Sequence, residues 1–410
     1  MIGLRIYNTL TKRKEDFKVP NGNKIKIFVC GPTVYDYCHL GHARTFIAFD
    51  VIAKYLRFKG YDLFFLMNIT DVAEKLIEKS RKVGMDFLDL SKKFERYFHE
   101  DLTSLGIDSI DVFARASDHV TGIIEQIKKL IEDGFAYETD TGVYFNIKKF
   151  PDYGRLSNQT KDEISLRPLE LCLTKKNPED FSLWRKVEKE PIWNSPWGKG
   201  RPGWHIEDTA IAMKWLGSQY ELHGGAIELI FPHHEAEIAQ GEAFGGKKPY
   251  VKYWMHTGLL KIDRRKMSKS LENMISIRDL LKYYDRKVLR YYFLSTHYRR
   301  TINFNEKEIK KSEANIQFIE NAIRNFENLP ESKDFSNKLG LVEDIENFER
   351  EFIKSMDDDF DTSKALRIIS RIAYKLRSFT KNHKEIEKIS KKKILKIVIK
   401  LTRIFGIIDY

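Results

Sequence analysis

The chain has 410 residues, with 71 Lys and Arg against 59 Asp and Glu for a net charge of +12, and 42% of it is hydrophobic and 13% aromatic. That much apolar material excludes disorder over most of the length and suggests roughly two to four domains. Only three cysteines occur (Cys30, Cys38 and Cys172), no run approaches the ~20 apolar residues of a membrane span, and charged residues 12–16 precede any long apolar stretch. A disulfide framework, a membrane span and a signal peptide are therefore not expected, and a reducing compartment, the cytoplasm, is. The basic balance permits a polyanionic partner without establishing one.

Residues 25–30 read as a short buried strand, broken by Gly31 and Pro32. A helical pattern follows from about His42 to Lys59, with Phe46, Phe49, Ile52, Ala53 and Leu56 on one stripe and Gly60 where a C-terminal cap belongs. Residues 61–69 read as a second strand, and strand–helix–strand predicts a parallel sheet with a right-handed crossover. Residues 74–105 look helical and charged, and residues 140–200 turn-rich, an insertion between two halves of the sheet domain. Strand and helix patterns resume from 204 to 258, and from 306 the pattern is almost purely helical. Its charge is split: residues 306–361 are net −8 and residues 362–410 net +11, which suggests an acidic and a basic half of one bundle. Lys364, Arg367, Arg371 and Lys375 fall on one helix face, opposite Leu366, Ile369, Ala373 and Leu376. That basic face is either solvated or turned toward RNA.

Three motifs carry chemistry. His39-Leu40-Gly41-His42 stands after the first strand at the start of a helix, where unpaired N–H groups and a partial positive charge suit a phosphate. The two rings can face one phosphate, and Gly41 lets a base or ribose approach the backbone. Alone the string is weak, since a surface turn produces it by chance. Lys266-Met267-Ser268-Lys269-Ser270 can close two lysines on a triphosphate and stabilise a leaving pyrophosphate. Together and in this order, the pair resembles the two signature motifs of class I aminoacyl-tRNA synthetases. Third, Cys30, at the end of the first strand, together with His233 and Glu237, four residues apart, comprises acceptable zinc ligands. A buried cysteine and a salt-bridged His/Glu pair would leave the same trace.

The resemblance then narrows to the cysteinyl-tRNA synthetases. It is carried by Cys30–Asp36 running into His39–His42, Asn68–Asp71, Gly200–Glu207, His223–Gly225, Phe231–Glu237, Tyr253–His256, Lys266–Ser270 and Met356–Phe360, in order across roughly residues 1–405. It implies an α/β chain: a Rossmann-like parallel-sheet catalytic domain (1–115 and 201–262) with a connective insertion (116–200), a lysine-loop linking fold (263–305) and a helical bundle (306–410). It implies ATP-dependent ligation of L-cysteine to tRNA(Cys) through cysteinyl-adenylate, with ATP and Mg, by a monomer without membrane contact. His39, Gly41 and His42 with Lys266, Met267, Ser268, Lys269 and Ser270 would bind ATP, and the two histidines and two lysines would be catalytic. Thr70, Trp204 and His223 would bind the amino acid. Zinc would bind the substrate thiolate through Cys30, His233 and Glu237, rejecting serine because it prefers sulfur to hydroxyl.

The chain departs from that pattern at Asp208, where the family usually has a cysteine ligand. Asp208 either ligates, giving a Cys/Asp/His/Glu site, or leaves a weaker site or one favouring another divalent ion. Arg264-Arg265 and Ala73-Glu74 are smaller departures. The family usually continues into a small anticodon-reading domain; the sequence stops at Tyr410, about where that domain would begin, so either the protein lacks it or the given chain is a fragment. Two rival readings are a cysteine ligase acting on an amino-sugar acceptor, as in mycothiol synthesis, and a non-catalytic RNA-binding paralogue.

Overall fold

The computed structural model describes residues 3–19, 22–165, 172–266, 274–332 and 340–409. Five strands pair in parallel in the order Val251–Thr257, Tyr220–Ala226, Lys24–Val29, Asp62–Ile69, Val112–Arg115. The chain leaves the central strand, Lys24–Val29, to build one side of the sheet and returns later to build the other. The strand order therefore reverses at that strand, and in open α/β sheets ligands bind outside the carboxyl ends of the strands at such a point. Ile25, Ile27, Phe28 and Val29 are wholly buried, as a strand covered on both faces requires.

Side chains alternate between the faces with period two. Ile25, Ile27 and Val29 join the core shared with the Leu40–Phe58 helix and the bundle. Phe28 and Cys30 join the other core, with the helices Trp204–Trp215 and Glu235–Gly245. Alternation thus turns Cys30 toward the half of the chain that carries Asp208 and Glu237.

The expected first helix spans Leu40–Phe58, but it is buried on most sides rather than along one stripe. It lies between the sheet, the Arg286–Leu294 helix and the last helix, Lys388–Phe405. The charged stretch 74–105 forms two helices, Glu74–Val83 and Phe87–Ser104, separated at Gly84, whose φ of +66° ends the first. Within the turn-rich stretch lies an antiparallel sheet of four short strands, Ala136–Thr139, Gly142–Phe145, Phe181–Lys186 and Gly200–Pro202. Beyond 305 the main helices are Glu306–Glu327, Leu341–Met356, Thr362–Asn382 and Lys388–Phe405. Leu366, Ile369, Ala373 and Leu376 are buried in the bundle, as their stripe predicted. The opposite basic face is engaged within the protein: Lys364 pairs with Asp361, Arg371 with Glu351 and Lys375 with Asp344. The acidic and basic halves of the bundle are complementary partners. Among the described residues no helix is long and apolar enough to cross a membrane.

Two polar joints fix the bundle to the catalytic half. Met356–Phe360 is a knuckle whose three acids reach different elements: Asp357 accepts from Tyr55 Oη at 2.7 Å, Asp358 pairs with Lys14 at 2.7 Å, and Asp359 accepts from Tyr298 Oη at 2.8 Å and Arg299 Nε at 2.7 Å. The other joint is Arg290 with Asp50, both wholly buried, at 2.6 Å. Arg290 also donates to the carbonyls of Phe405, Leu105 and Gly106. Burial pushes the Asp50 carboxyl up, but Arg290 and Lys54 outweigh it and hold the group below its ordinary value. Asp50→Asn leaves a buried guanidinium without its counter-charge, which costs about 3–5 kcal/mol. The thermal midpoint of that variant should fall by several degrees, and Asp50→Asn/Arg290→Met should recover only part of the loss, because the Phe405, Leu105 and Gly106 carbonyls then lose their donor; an unchanged midpoint in the single variant contradicts the joint.

Candidate active site

At the carboxyl end of the central strand the backbone passes Gly31 so closely that an added Cβ would lie 1.8 Å from the Asn68 carbonyl oxygen. Gly31 N donates to Asn68 Oδ1 at 2.6 Å, which ties the ends of the two middle strands together. The chain then enters the Leu40–Phe58 helix, with His39 as its N-cap. His39 Nδ1 accepts from Gly41 N at 3.1 Å and His42 Nδ1 accepts from His39 N at 3.3 Å, a reciprocal cap built from the two motif histidines. The rings stack with centroids 3.8 Å apart. Burial, and then the neighbouring His39, hold His42 neutral. A neutral ring that accepts at Nδ1 carries its proton on Nε2, so His42 presents an N–H donor beside the helix N-terminus.

Four donors converge below this turn. Cys30 Sγ lies 3.5 Å from Asp208 Oδ2 and 4.0 Å from Glu237 Oε1, and His233 Nε2 lies 2.9 Å from Asp208 Oδ2 and 3.2 Å from Glu237 Oε1. All four residues are buried, and their ligand atoms lie within 4.8 Å of one another. Asn68 Nδ2 donates to Asp208 Oδ1 at 2.6 Å, leaving Oδ2 to face the other donors. His205 contacts His233 Nδ1 at 2.9 Å and so aims Nε2 inward. Burial, then Asp208, pushes the Glu237 carboxyl far up, and its Oε2 has no hydrogen-bond partner. Burial, then Glu237 and Asp208, likewise pushes the Cys30 thiol up. Two carboxyls and a thiol packed this tightly suit a divalent cation, which lets all three ionise.

Asp208 is brought to the cluster from the first turns of the Trp204–Trp215 helix, the position the sequence left open. His233 precedes the Glu235–Gly245 helix instead of lying within it, yet still meets Glu237. Cys30, Asp208, His233, Thr70, Trp204, His39, Gly41 and His42 all line one open cleft of about 1330 Å³. Trp204 stacks on His233 at 4.3 Å. His223 is placed elsewhere: wholly buried, it stacks on Trp254 at 4.4 Å with Nε2 3.4 Å from Cys30 Sγ. Cys38 is buried outside this donor group.

The comparisons with known proteins now bear on this geometry. Residues 16–314 match the family model for the tRNA synthetases class I (C) catalytic domain, and residues 351–409 match the DALR domain. A cysteine–tRNA ligase from Thermodesulfovibrio yellowstonii is 46% identical over 387 residues, covering 92% of this chain and 79% of the relative. One from Pyrococcus furiosus is 44% identical over 416 residues, covering 99% and 86%. The chain belongs to the cysteine–tRNA ligase family. In fold it is also similar to the methionyl-tRNA synthetase of Mycobacterium tuberculosis in complex with methionyl-adenylate, with a TM-score of 0.65 at 15% identity over 94% of this chain and 90% of that one.

The lysine motif falls largely outside the described residues: Met267, Ser268, Lys269 and Ser270 lie there, as does the side chain of Lys266. The described backbone on either side is held at the cleft. Lys266 pairs with Lys261 of the Leu260–Ile262 strand, and Ile275 O accepts from Leu40 N at 3.1 Å beside the histidine turn. Met274 and Ser276 line the cleft with His39 and His42.

Sequence reasoning missed Asn68 as the residue that orients Asp208, and His205 and His234 as neighbours of the donors. The only trace was that they sit inside the quoted motifs. Burial, before any neighbouring charge, holds His42, His205, His223 and His234 far below the ordinary histidine range, and it pushes His256 down to about 3. A histidine depressed in the fold takes up its proton only on unfolding. Its contribution is complete above about pH 6.5 and is lost as pH falls below that, by up to about 1.4 kcal/mol per pH unit for each ring. The thermal midpoint of the metal-free protein should therefore fall as pH drops toward about 5, less steeply than the rings alone would give, because the raised carboxyls of Glu207 and Glu237 contribute with the opposite sign; a midpoint that rises throughout contradicts the buried neutral rings.

Proposed function

We propose that the protein joins L-cysteine to tRNA(Cys) with ATP, through a cysteinyl-adenylate. One observation carries this reading: a thiol-selective donor set and a phosphate-suited helix N-terminus line the same cleft. The cysteine carboxylate attacks the α-phosphorus of ATP and pyrophosphate leaves; the terminal ribose hydroxyl of the tRNA then attacks the cysteinyl carbonyl, forming the ester as the acyl–phosphate bond breaks and AMP leaves. His39 and His42, donating from Nε2 at the helix N-terminus, hold the phosphates as charge develops. Gly41 leaves room for the nucleoside. Lys266 and Lys269 stabilise the departing pyrophosphate, with Met267, Ser268 and Ser270 completing their segment. Thr70 and Trp204 bound the amino-acid pocket. His223, behind Cys30, acts on that pocket through the cysteine rather than by touching substrate.

Cys30, Asp208, His233 and Glu237 hold a zinc ion. When bound, such an ion supplies a Lewis-acidic site for the substrate sulfur, which it prefers to a hydroxyl. A carboxylate at 208 is a harder donor than a thiolate, so this site is more tolerant of other divalent ions. The same reading assigns 1–115 and 201–262 to the catalytic domain, 116–200 to its insertion, 263–305 to the lysine-loop link and 306–410 to the bundle, in a cytoplasmic monomer.

ATP–pyrophosphate exchange tests the reading. Exchange should require cysteine, and the activated group should pass to tRNA(Cys) and not to an amino sugar; no cysteine-dependent exchange overturns it. Lys269→Ala should slow exchange by about 10²–10³-fold, the usual cost of removing one such charge stabiliser. His39→Asn separates chemistry from folding. Asparagine is a good N-cap, so the thermal midpoint should hold while exchange falls. Equal exchange in the His39 variant and the wild type would remove the imidazole from the phosphate site.

A further inference from the structure

A second set of donors shares Cys30 and Glu237 with the first. His234 Nε2 lies 3.1 Å from Cys30 Sγ and 3.9 Å from Glu237 Oε1, and His223 Nε2 lies 3.4 Å from Cys30 Sγ and 3.7 Å from Glu237 Oε2. The four ligand atoms fall within 4.8 Å of one another, and all four residues are buried. Zinc bonds of about 2.0–2.3 Å place tetrahedral donors about 3.3–3.7 Å apart, a range that the separations of 3.1–3.9 Å here bracket.

Three further observations point to an ion at this place. Each ring is held by its far nitrogen, as metal-bound histidines usually are: His223 Nδ1 meets Tyr220 Oη at 2.6 Å, and His234 Nδ1 meets His256 Nε2 at 2.7 Å. Glu237 Oε2, wholly buried, has no hydrogen-bond partner and faces His223. Position 225 must be glycine for the His234 ring to lie where it does, since a Cβ there would come within 2.8 Å of His234 Cε1.

We propose that Cys30, His223, His234 and Glu237 form a second position for the divalent ion, exclusive of the Cys30/Asp208/His233/Glu237 position because two ligands are shared. The proposal rests on the reading that the outer set holds an ion. The two positions differ in what they can do. Asp208 and His233 line the cleft, whereas His223 and His234 do not. An ion on the inner donors is fully ligated by protein and out of reach of a substrate thiol; an ion on the outer donors faces the cleft. The inner set has two imidazoles and one carboxylate, the outer one imidazole and two carboxylates, so the inner is the softer site and the better match for zinc. With Asp208 as the outer ligand, the protein has an inner resting position from which a cysteine thiolate draws the ion outward.

Zinc-edge X-ray absorption counts imidazole ligands without reference to activity. The full chain is loaded with one equivalent of zinc as wild type, Asp208→Ala, and His223→Gln/His234→Gln. Asp208→Ala is expected to keep stoichiometric zinc with two imidazoles, and the double variant to show one. In the wild type, adding cysteine is expected to lower the imidazole count toward one. Asp208→Ala zinc with a single imidazole, or a wild-type count of one before and after cysteine, overturns the inner position and leaves the outer one standing. Wild-type protein that takes up no zinc fails the metal reading itself. The wild-type arm decides the matter even where a variant does not fold.

Discussion

Parallel pairing of the Lys24–Val29 strand on both edges is the constraint on which the rest depends. It places the reversal of strand order at one strand and opens a crevice at its carboxyl end. The close approach of Gly31 to Asn68 then sets Cys30 on one side of the turn and launches the histidine-capped helix on the other. Cys30 and the histidine turn share a cleft because they leave the same strand only nine residues apart, at Cys30 and His39. Strand alternation decides that Cys30 faces the second half of the chain, where Asp208, His233 and Glu237 wait on separate elements.

The electrostatics of that meeting point are unusual for a protein interior. A thiol, two carboxylates and several neutral imidazoles are buried together, and the negative groups oppose one another. Such a cluster is costly unless a cation organises it. A different buried charge pair lies at the joint to the bundle, where Arg290 and Asp50 neutralise each other and the guanidinium spends its other donors on backbone carbonyls. One buried cluster calls for an ion from outside; the other carries its own counter-charge.

Much of this was legible in the amino-acid order. The apolar run 25–30, the Gly-Pro break and the stripe from Phe46 to Leu56 announce a strand–turn–helix unit, because local periodicity and breakers act over a few residues. The motif residues Cys30, His39, His42 and Trp204 were identified by type and order, and the structure collects them around one cleft. The antiparallel sheet within 136–202 was not legible, since its strands run only three to six residues among turn formers. The break at Gly84 was hidden within a uniformly charged stretch. The basic stripe on Thr362–Asn382 could be read two ways because its partners, Glu351 and Asp344, lie on another helix. The role of His234 was invisible for the same reason: its contact with Cys30 spans 204 residues of chain, and no local pattern records it.

The central claim is that metal-held sulfur recognition at Cys30, Asp208, His233 and Glu237 selects the amino acid. It is tested most directly by measuring ATP–pyrophosphate exchange with cysteine and with serine, before and after removal of the metal and again after zinc is restored. The account predicts that cysteine exchange falls on metal removal and returns with zinc, while serine exchange stays low throughout. An undiminished preference for cysteine over serine in the metal-free protein would contradict it.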